Sequence, residues 1–228
     1  MGGKALLTVS RASRAGGAAH AGCDYIGRMN RRTALAAPFA LFALALPAQA
    51  EKLSLATISK YLNSLTTAEA DFRQINSDGS VSKGKLFIKR PNRVRFEYAP
   101  PDRNLVLASG GQVAVFDGKS NQPPEQYPLK RTPLNLILGQ NIDLGKARMV
   151  VGHAEVAGTT RVIAQDPQNP EYGTIEMVFS AKPVALRQWI ITDNAGGQTV
   201  VELGPLVTGL DYPPSTFNIE VELGRRKN

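Results

Sequence analysis

Four cations crowd one turn of the sequence. In KGKLFIKRPNRVRFEYAPPD, Lys83 to Asp102, the pair Lys89 and Arg90 precedes Pro91, and Arg93 and Arg95 follow it. Ammonium and guanidinium groups donate hydrogen bonds and accept none, so the chemistry open to this cluster is binding, to backbone carbonyls or to an acidic partner. Val94, Phe96 and Tyr98 alternate with the charges, so the same segment also offers an apolar surface.

Groups for making and breaking bonds are scarce. His153 is the only histidine after residue 50, and the single cysteine, Cys23, lies before it. One imidazole without a thiol builds neither a His/Cys metal cluster nor a recognisable catalytic triad. Asp71, Asp102, Asp117 and Glu176 fall in no ligand or paired-carboxylate spacing, and no glycine-rich phosphate loop precedes a helix. A two-carboxylate glycosidase has no fixed spacing to search for, but nothing in the sequence asks for one. We therefore expect a binding protein, with no catalytic residue, no metal and no cofactor.

The leader sets the charge argument. From Met29 the sequence reads MNRRTALAAPFALFALALPAQA: a basic pair, an apolar run from about Ala34 to Leu46, then Ala48-Gln49-Ala50. This is the order of a secretory signal peptide, and the run is short for a bilayer span. Residues 29–50 are expected to be removed, by the general or the twin-arginine route, leaving a chain from near Glu51. Residues 1–28 read as an upstream extension ahead of the true start, with a transit peptide as the other account. Six of the 27 Lys and Arg and one of the 19 acids lie in residues 1–50, leaving 21 and 18, a net +3. Most of the basicity goes with the leader, so nucleic acid is not an expected partner. No Cys follows the cleavage site to carry a lipid anchor, and no disulfide is available. Stability must come from a core, which a chain of this length can bury.

The elements that must position the basic turn follow from periodicity. Leu55, Ile58, Leu62 and Leu65 recur at three and four residues behind Ser54, a plausible cap, which predicts a helix over Leu53–Leu65. The period then becomes two. Val94, Phe96 and Tyr98 share one face of a strand, and Arg93, Arg95 and Glu97 the other, wet one. Strands are expected near residues 84–89, 93–98, 104–109, 112–117, 146–151, 160–165, 174–179, 185–192, 198–203 and 215–220, with turns at Ser109–Gly111, Phe116–Gln122 and Asp193–Gly197. Thr132, Pro133 and Gly139 bracket a short helix whose Leu134, Leu136, Ile137 and Leu138 are apolar nearly all round. About ten strands with two short apolar helices predict a strongly curved antiparallel sheet, mainly β, with the helices filling its concavity.

The chain resembles the LolA family of periplasmic outer-membrane lipoprotein carriers. The likeness rests on Asp71-Phe72-Arg73-Gln74, Gly84-Lys85-Leu86, Ile88-Lys89-Arg90-Pro91-Asn92 and Phe96-Glu97-Tyr98, then Pro101-Asp102, Leu105-Val106, Ser109-Gly110-Gly111 and Thr132-Pro133-Leu134 through Leu138. Order and spacing hold over roughly Leu55 to Leu138; beyond that, strand rhythm and the closing Pro213 to Phe217 remain. The resemblance implies an incomplete β-barrel of about ten to eleven strands over residues 51–228, covered by helices. It also implies acyl chains of lipidated proteins as cargo, an inner-membrane ABC exporter and an outer-membrane receptor as partners, a monomer, and Arg90 as a latch to the helical lid.

The implied task has a physical cost. Exposing one CH₂ to water costs about 0.8 kcal/mol, so an acyl chain of roughly 16 carbons carries on the order of 10 kcal/mol. A carrier must cover that surface and still release it, which favours a lid that fills the cavity when cargo is absent. Val94, Phe96, Tyr98, Leu134, Ile137 and Leu138 are the expected lining and plug, although core and lipid-lining residues look alike in sequence. Lys89, Arg93 and Arg95 are either exposed-face charges or a docking patch for an acidic partner. A carrier of another amphiphile, such as a glycolipid, and a lipoprotein-sensing module are the alternative readings.

Overall fold

The computed structural model describes residues 51–120, 122–146 and 148–227. The expected export signal, the upstream extension and Cys23 lie outside the described residues. The chain opens with α1 (Leu55–Ser64), whose Ser54 hydroxyl accepts from Thr57 N at 3.1 Å, the expected cap. Next come β1 (Thr67–Ile75), β2 (Val81–Lys89), β3 (Arg93–Tyr98), β4 (Leu105–Ser109), β5 (Gln112–Phe116) and β6 (Glu125–Pro128), then α2 (Asn135–Leu138). The second half holds β7 (Val150–Val156), β8 (Thr159–Gln165), β9 (Thr174–Ala181), β10 (Val184–Thr192), β11 (Gln198–Leu203), β12 (Val207–Thr208) and a terminal helix α3 (Ile219–Lys227).

The strands form one antiparallel sheet in the order β6-β5-β4-β3-β2-β1-β11-β10-β9-β8-β7, with β12 beside β1. Two meanders, β1 to β6 and β7 to β11, are joined by strand pairing between β1 and β11, where Phe72 faces Leu203 and Arg73 faces Glu202. The sheet does not close: β6 and β7 each have one neighbour. This is the expected open, curved antiparallel architecture. Gly84 lies in β2 opposite Tyr98, where a Cβ would run into the Glu97 carbonyl and the Phe72 ring, so only glycine lets these strands approach there.

Two apolar layers flank the sheet. On its inner face, Ile58, Leu62 and Leu65 at the start of the chain and Ile137, Leu138, Ile142 and Leu144 pack with Phe72, Leu86, Val94, Phe96, Phe179 and Trp189. Each such side chain taken fully out of water contributes about 1.5–3 kcal/mol. On the outer face, Leu105, Leu107, Ala114 and Phe116 of β4 and β5 are buried with Tyr212 and Phe217, with Ile219 and Leu223 packed against them. The C-terminal segment thus makes this part of the sheet apolar on both faces.

Three sequence expectations are corrected, and two short strands are added. Residues 215–220 are a 3₁₀ turn, Pro214–Phe217, running into α3 rather than a strand. Asn218 caps that helix, with Oδ1 3.1 Å from Val221 N, and Glu220, Glu222 and then Arg225, Arg226 follow the charge order of a helix macrodipole. The strand placed at 146–151 begins only at Val150, after turns around Asp143–Lys146. Thr132 does not cap α2: its hydroxyl donates to Leu129 O at 2.8 Å, and α2 starts at Asn135 after Leu134. Finally, β6 and β12 have no place in the alternation pattern, being short edge pieces of four and two residues.

Candidate functional site

The basic turn ends β2, and its backbone is tied to both inner helices. Arg90 N donates to Thr66 O at 2.8 Å, just past α1, and Asn92 N donates to Leu138 O at 2.9 Å, at the end of α2. Asn92 takes φ 59, the left-handed region that asparagine tolerates better than most residues. The Arg90 side chain then reaches across. Its Nε lies 3.2 Å from Gly139 O, Nη2 is within bonding distance of Gly139 O and 3.4 Å from Gln140 O, and Nη1 donates to Leu62 O. Nη2 also lies 3.2 Å from Asn63 Oδ1. The guanidinium fork therefore joins the C-terminal ends of α1 and α2, adding to the bond Leu62 O accepts from Leu65 N and supplying donors to the Gly139 carbonyl past the last turn of α2. Partial burial pushes its pKa below the ordinary value.

Further polar contacts fasten the segment after α2 to α1. Asn63 Oδ1 accepts from Ile142 N at 2.9 Å while its Nδ2 donates to Ile142 O at 2.8 Å, and Ser59 Oγ accepts from Leu144 N at 3.0 Å. Helix α1 is tied to the sheet in turn: Tyr61 OH accepts from Leu186 N at 3.0 Å, and His153 Nε2 lies 2.8 Å from Leu53 O. His153 thus has a structural contact at the start of α1. Among the described residues no group of three or more His, Cys, Asp or Glu could hold a metal ion, and no helix is long and apolar enough to cross a membrane.

The apolar site residues meet beneath these helices. Val94, Phe96, Ile137 and Leu138 are buried in one cluster, with Tyr98 and Leu134 packed against it. The Phe96 ring stands edge-on to Phe72 at 5.4 Å and to Trp189 at 6.1 Å. Tyr98 donates its hydroxyl to Gln74 Oε1 at 2.7 Å, and burial pushes its pKa up to about 12. Sequence reasoning missed Ile142 and Leu144, which extend the cover beyond α2. Their signal was weak: two apolar residues in a stretch of Gly, Gln, Asn and Asp.

The inner face is not filled throughout. A cleft of about 440 Å³ opens between the two arms of the sheet, with Val106 and Val113 on one side, Ile191 on the other, and Pro133 and Leu134 as part of its wall. Tyr127 and Tyr172 flank it, and Arg131, Glu171 and Asp193 also line it.

The other three cations do not form an exposed patch with Arg90. Arg95, expected on a wet face, is buried under α3: Nη1 lies 3.3 Å from Glu222 Oε2, with side-chain exposures of 10% and 9%, and Nε lies 2.6 Å from Glu97 Oε1. The expectation failed because α3 was not foreseen, and α3 supplies both the cover and the counter-charge. Arg226 also pairs with Glu222, at 3.0 Å, and lies over the Phe116 ring at 5.0 Å. Lys89 donates to Tyr212 O at 3.1 Å. Arg93 is half-buried and lines a separate outer pocket of about 310 Å³ with Ser109, Pro214 and Asn218.

Several known proteins are similar to this chain. A family model described as outer membrane lipoprotein carrier protein LolA matches residues 63–220. An outer-membrane lipoprotein carrier protein of Methylococcus capsulatus is 26% identical over 192 residues, covering 77% of this chain and 88% of that one. One from Coxiella burnetii is 23% identical over 193 residues, covering 81% and 90%. Among solved structures, a LolA superfamily protein from Nitrosomonas europaea aligns over 73% of this chain and 98% of its own, with 9% identity and a TM-score of 0.41.

Proposed function

The chain belongs to the LolA family of outer membrane lipoprotein carrier proteins, and from that premise we propose that it is a periplasmic carrier that shields the acyl chains of lipidated proteins. It takes its cargo from an inner-membrane ABC exporter and passes it to an outer-membrane receptor. The observation that carries this reading is the inner cover: α1 and the segment from α2 to Leu144 pack aliphatic side chains against the concave face and are joined by one residue of the turn after β2, Arg90.

The cover acts as the stand-in for cargo. Leu62, Ile137 and Leu138 hold the apolar surface dry when no lipid is present, and acyl chains replace those contacts with contacts of the same kind, so the exchange is nearly balanced. Loading then depends on the polar fastening. Arg90, Asn63 and Ser59 hold the cover by hydrogen bonds to backbone, which break and reform without desolvating a buried ion pair. The chemistry is binding and release, with no bond made or broken in the cargo.

The test is a release assay. Purified protein without residues 1–50 is mixed with inner-membrane vesicles and ATP, and the soluble fraction is probed for lipoprotein. Lipoprotein that becomes soluble only with both protein and ATP supports the reading. Release of free glycolipid would identify another amphiphile as cargo, and no release of either would remove the carrier role.

A further inference from the structure

The two edges of the open sheet are not alike. Strand β6 has four residues, ends in Pro128 and follows Pro123 and Pro124, and proline, lacking an N–H, keeps foreign strands off an edge. Strand β7 reads VVGHAEV, without proline or lysine, and carries Val151, 58% exposed, and Val156, 42% exposed. Its hairpin to β8 turns at Ala157 and Gly158, with φ 50 and 78, between the facing residues Val156 and Thr159. A two-residue turn of this kind closes on a hydrogen-bonded pair, and bonded pairs alternate along the ladder. Val156 and Ala154 therefore bond to β8, while the N–H and C=O of Glu155 and His153 face away from it. Among the described residues no backbone group of another segment meets them. The one carboxylate of the strand, on Glu155, accepts from Gly158 N at 2.6 Å, so its charge is engaged within its own hairpin.

We infer that β7 is a strand-addition site that holds an extended stretch of the cargo's own polypeptide. The inference rests on the carrier reading. Backbone recognises backbone at such an edge, so the occupant is an extended peptide whose side chains matter less than its free amides and carbonyls. The β7–β8 hairpin also holds the start of the cover: His153 Nε2 lies 2.8 Å from Leu53 O, and Leu53 N donates to Thr160 Oγ1 at 2.9 Å. A protein whose acyl chains lie under the cover brings its polypeptide out past one of the two rims, and β7 is the rim with free backbone. The bulge at Val151, between the pairs Val150–Ala164 and Gly152–Ile163, ends the regular ladder. Beyond it Lys146, 3.5 Å from Asp143, and Arg148 are exposed. An antiparallel peptide thus meets Val156 near its start and cations near its C-terminal end, where an acidic residue is favoured. A second copy of the chain lacks that match: two β7 strands paired about His153 set Glu155 against Val151 and Arg148 against Gly158, with no acid to meet the cations.

The probe is a fluorescent, amidated heptapeptide of alternating threonine and valine with aspartate at its C-terminal end, titrated into the protein lacking residues 1–50. Hydrogen exchange is followed by mass spectrometry, with the peptide and with lipoprotein released from vesicles. We expect both to slow exchange over residues 150–156 and to leave 125–128 unchanged. Glu155→Pro, which removes an N–H that faces away from β8, should bind the peptide about tenfold more weakly. Arg148→Glu should bind it about threefold more weakly; lying outside the ladder, it keeps the test open if the proline variant fails to fold, and melting temperatures report folding. Unprotected residues 150–156, protection of 125–128 instead, full affinity in either folded variant, or a dimer in gel filtration with 150–156 protected before peptide is added would each overturn the site. Peptide protection of 150–156 without lipoprotein release leaves β7 standing as a strand-addition site and removes the carrier role; release of lipoprotein with 150–156 unprotected does the reverse.

Discussion

Arg90 and Gly139 are joined by two donors on one acceptor: Nε, at 3.2 Å, and Nη2 both address the Gly139 carbonyl, for which no other donor occurs among the described residues. A strand end thereby holds a helix end, and the same fork reaches the Leu62 carbonyl of the other helix.

Replacing Arg90 with leucine leaves the Gly139 carbonyl without its donors, at a cost of about 1–3 kcal/mol. The covered state weakens and bound cargo is retained. In the transfer assay Arg90→Leu should load lipoprotein but pass it to receptor-bearing vesicles several times more slowly than wild type. Transfer at the wild-type rate would show that Arg90 is no latch. Arg90→Lys, which keeps the charge without the planar fork, should fall between the two.

Leu138→Ala tests the plug from its apolar side. Leu138 is 2% exposed in the inner cluster, and truncating such a leucine costs about 2–5 kcal/mol. Because α2 is only four residues long and lies outside the strand ladder, the loss should appear first as local opening. Exchange over residues 135–144 should rise well before exchange in β1 or β10 does. A uniform rise across the sheet would mean that the cover and the barrel unfold as one unit.

On the outer face, Glu222→Ala should destabilise the protein by about 1–3 kcal/mol, since Arg95 would stay buried with Glu97 as its remaining carboxylate. The double variant Arg95→Met with Glu222→Leu removes both charges and should recover most of that loss. Denaturant midpoints of the three proteins check this directly. A double variant as unstable as the single would place the contribution of α3 in something other than this pair.

Alkaline stability isolates Tyr98. Its pKa is raised to about 12 by burial, so between the ordinary phenol value of about 10 and this one the folded state keeps a proton that the unfolded state has lost. Stability is full below the unfolded value and declines as pH rises through that window. Urea midpoints at pH 8 and pH 11 should fall less for Tyr98→Phe than for wild type. Tyr61, Tyr127 and Tyr212, also raised by burial, contribute with the same sign in both proteins and cancel in the comparison.

The alternation of Val94, Phe96 and Tyr98 and the heptad-like spacing of Ile58 and Leu62 carried the fold, because both report directly which side of an element meets the core. Most strands stand where alternation placed them, within about two residues at their ends. Residues 67–75 were expected only through family likeness: Thr67 to Ile75 mixes Asp71, Arg73 and Gln74 with Ala68, Ala70 and Phe72, a pattern that small side chains blur. Arg95 shows the deeper limit. A residue's neighbours in sequence fix its face, but its exposure depended on α3, which lies more than 120 residues away and whose Glu222 makes the buried position tolerable. The juxtaposition of Arg90 with Leu62 and Gly139 was legible only by resemblance, since no periodicity encodes contact between a turn and two helix ends.

The pairing of β1 with β11 has a consequence for how the molecule is made. Arg73 and Glu202, 2.9 Å apart, are separated by 129 positions along the chain. Each meander consists of local hairpins that form quickly, whereas the seam between them joins strands far apart in sequence and forms late. While the polypeptide emerges from its amino end, β1 has β2 on one flank and a bare row of amides and carbonyls on the other until about two hundred residues have appeared. Such an unpaired edge is a template for pairing with foreign strands, so the nascent half is the stage most exposed to aggregation.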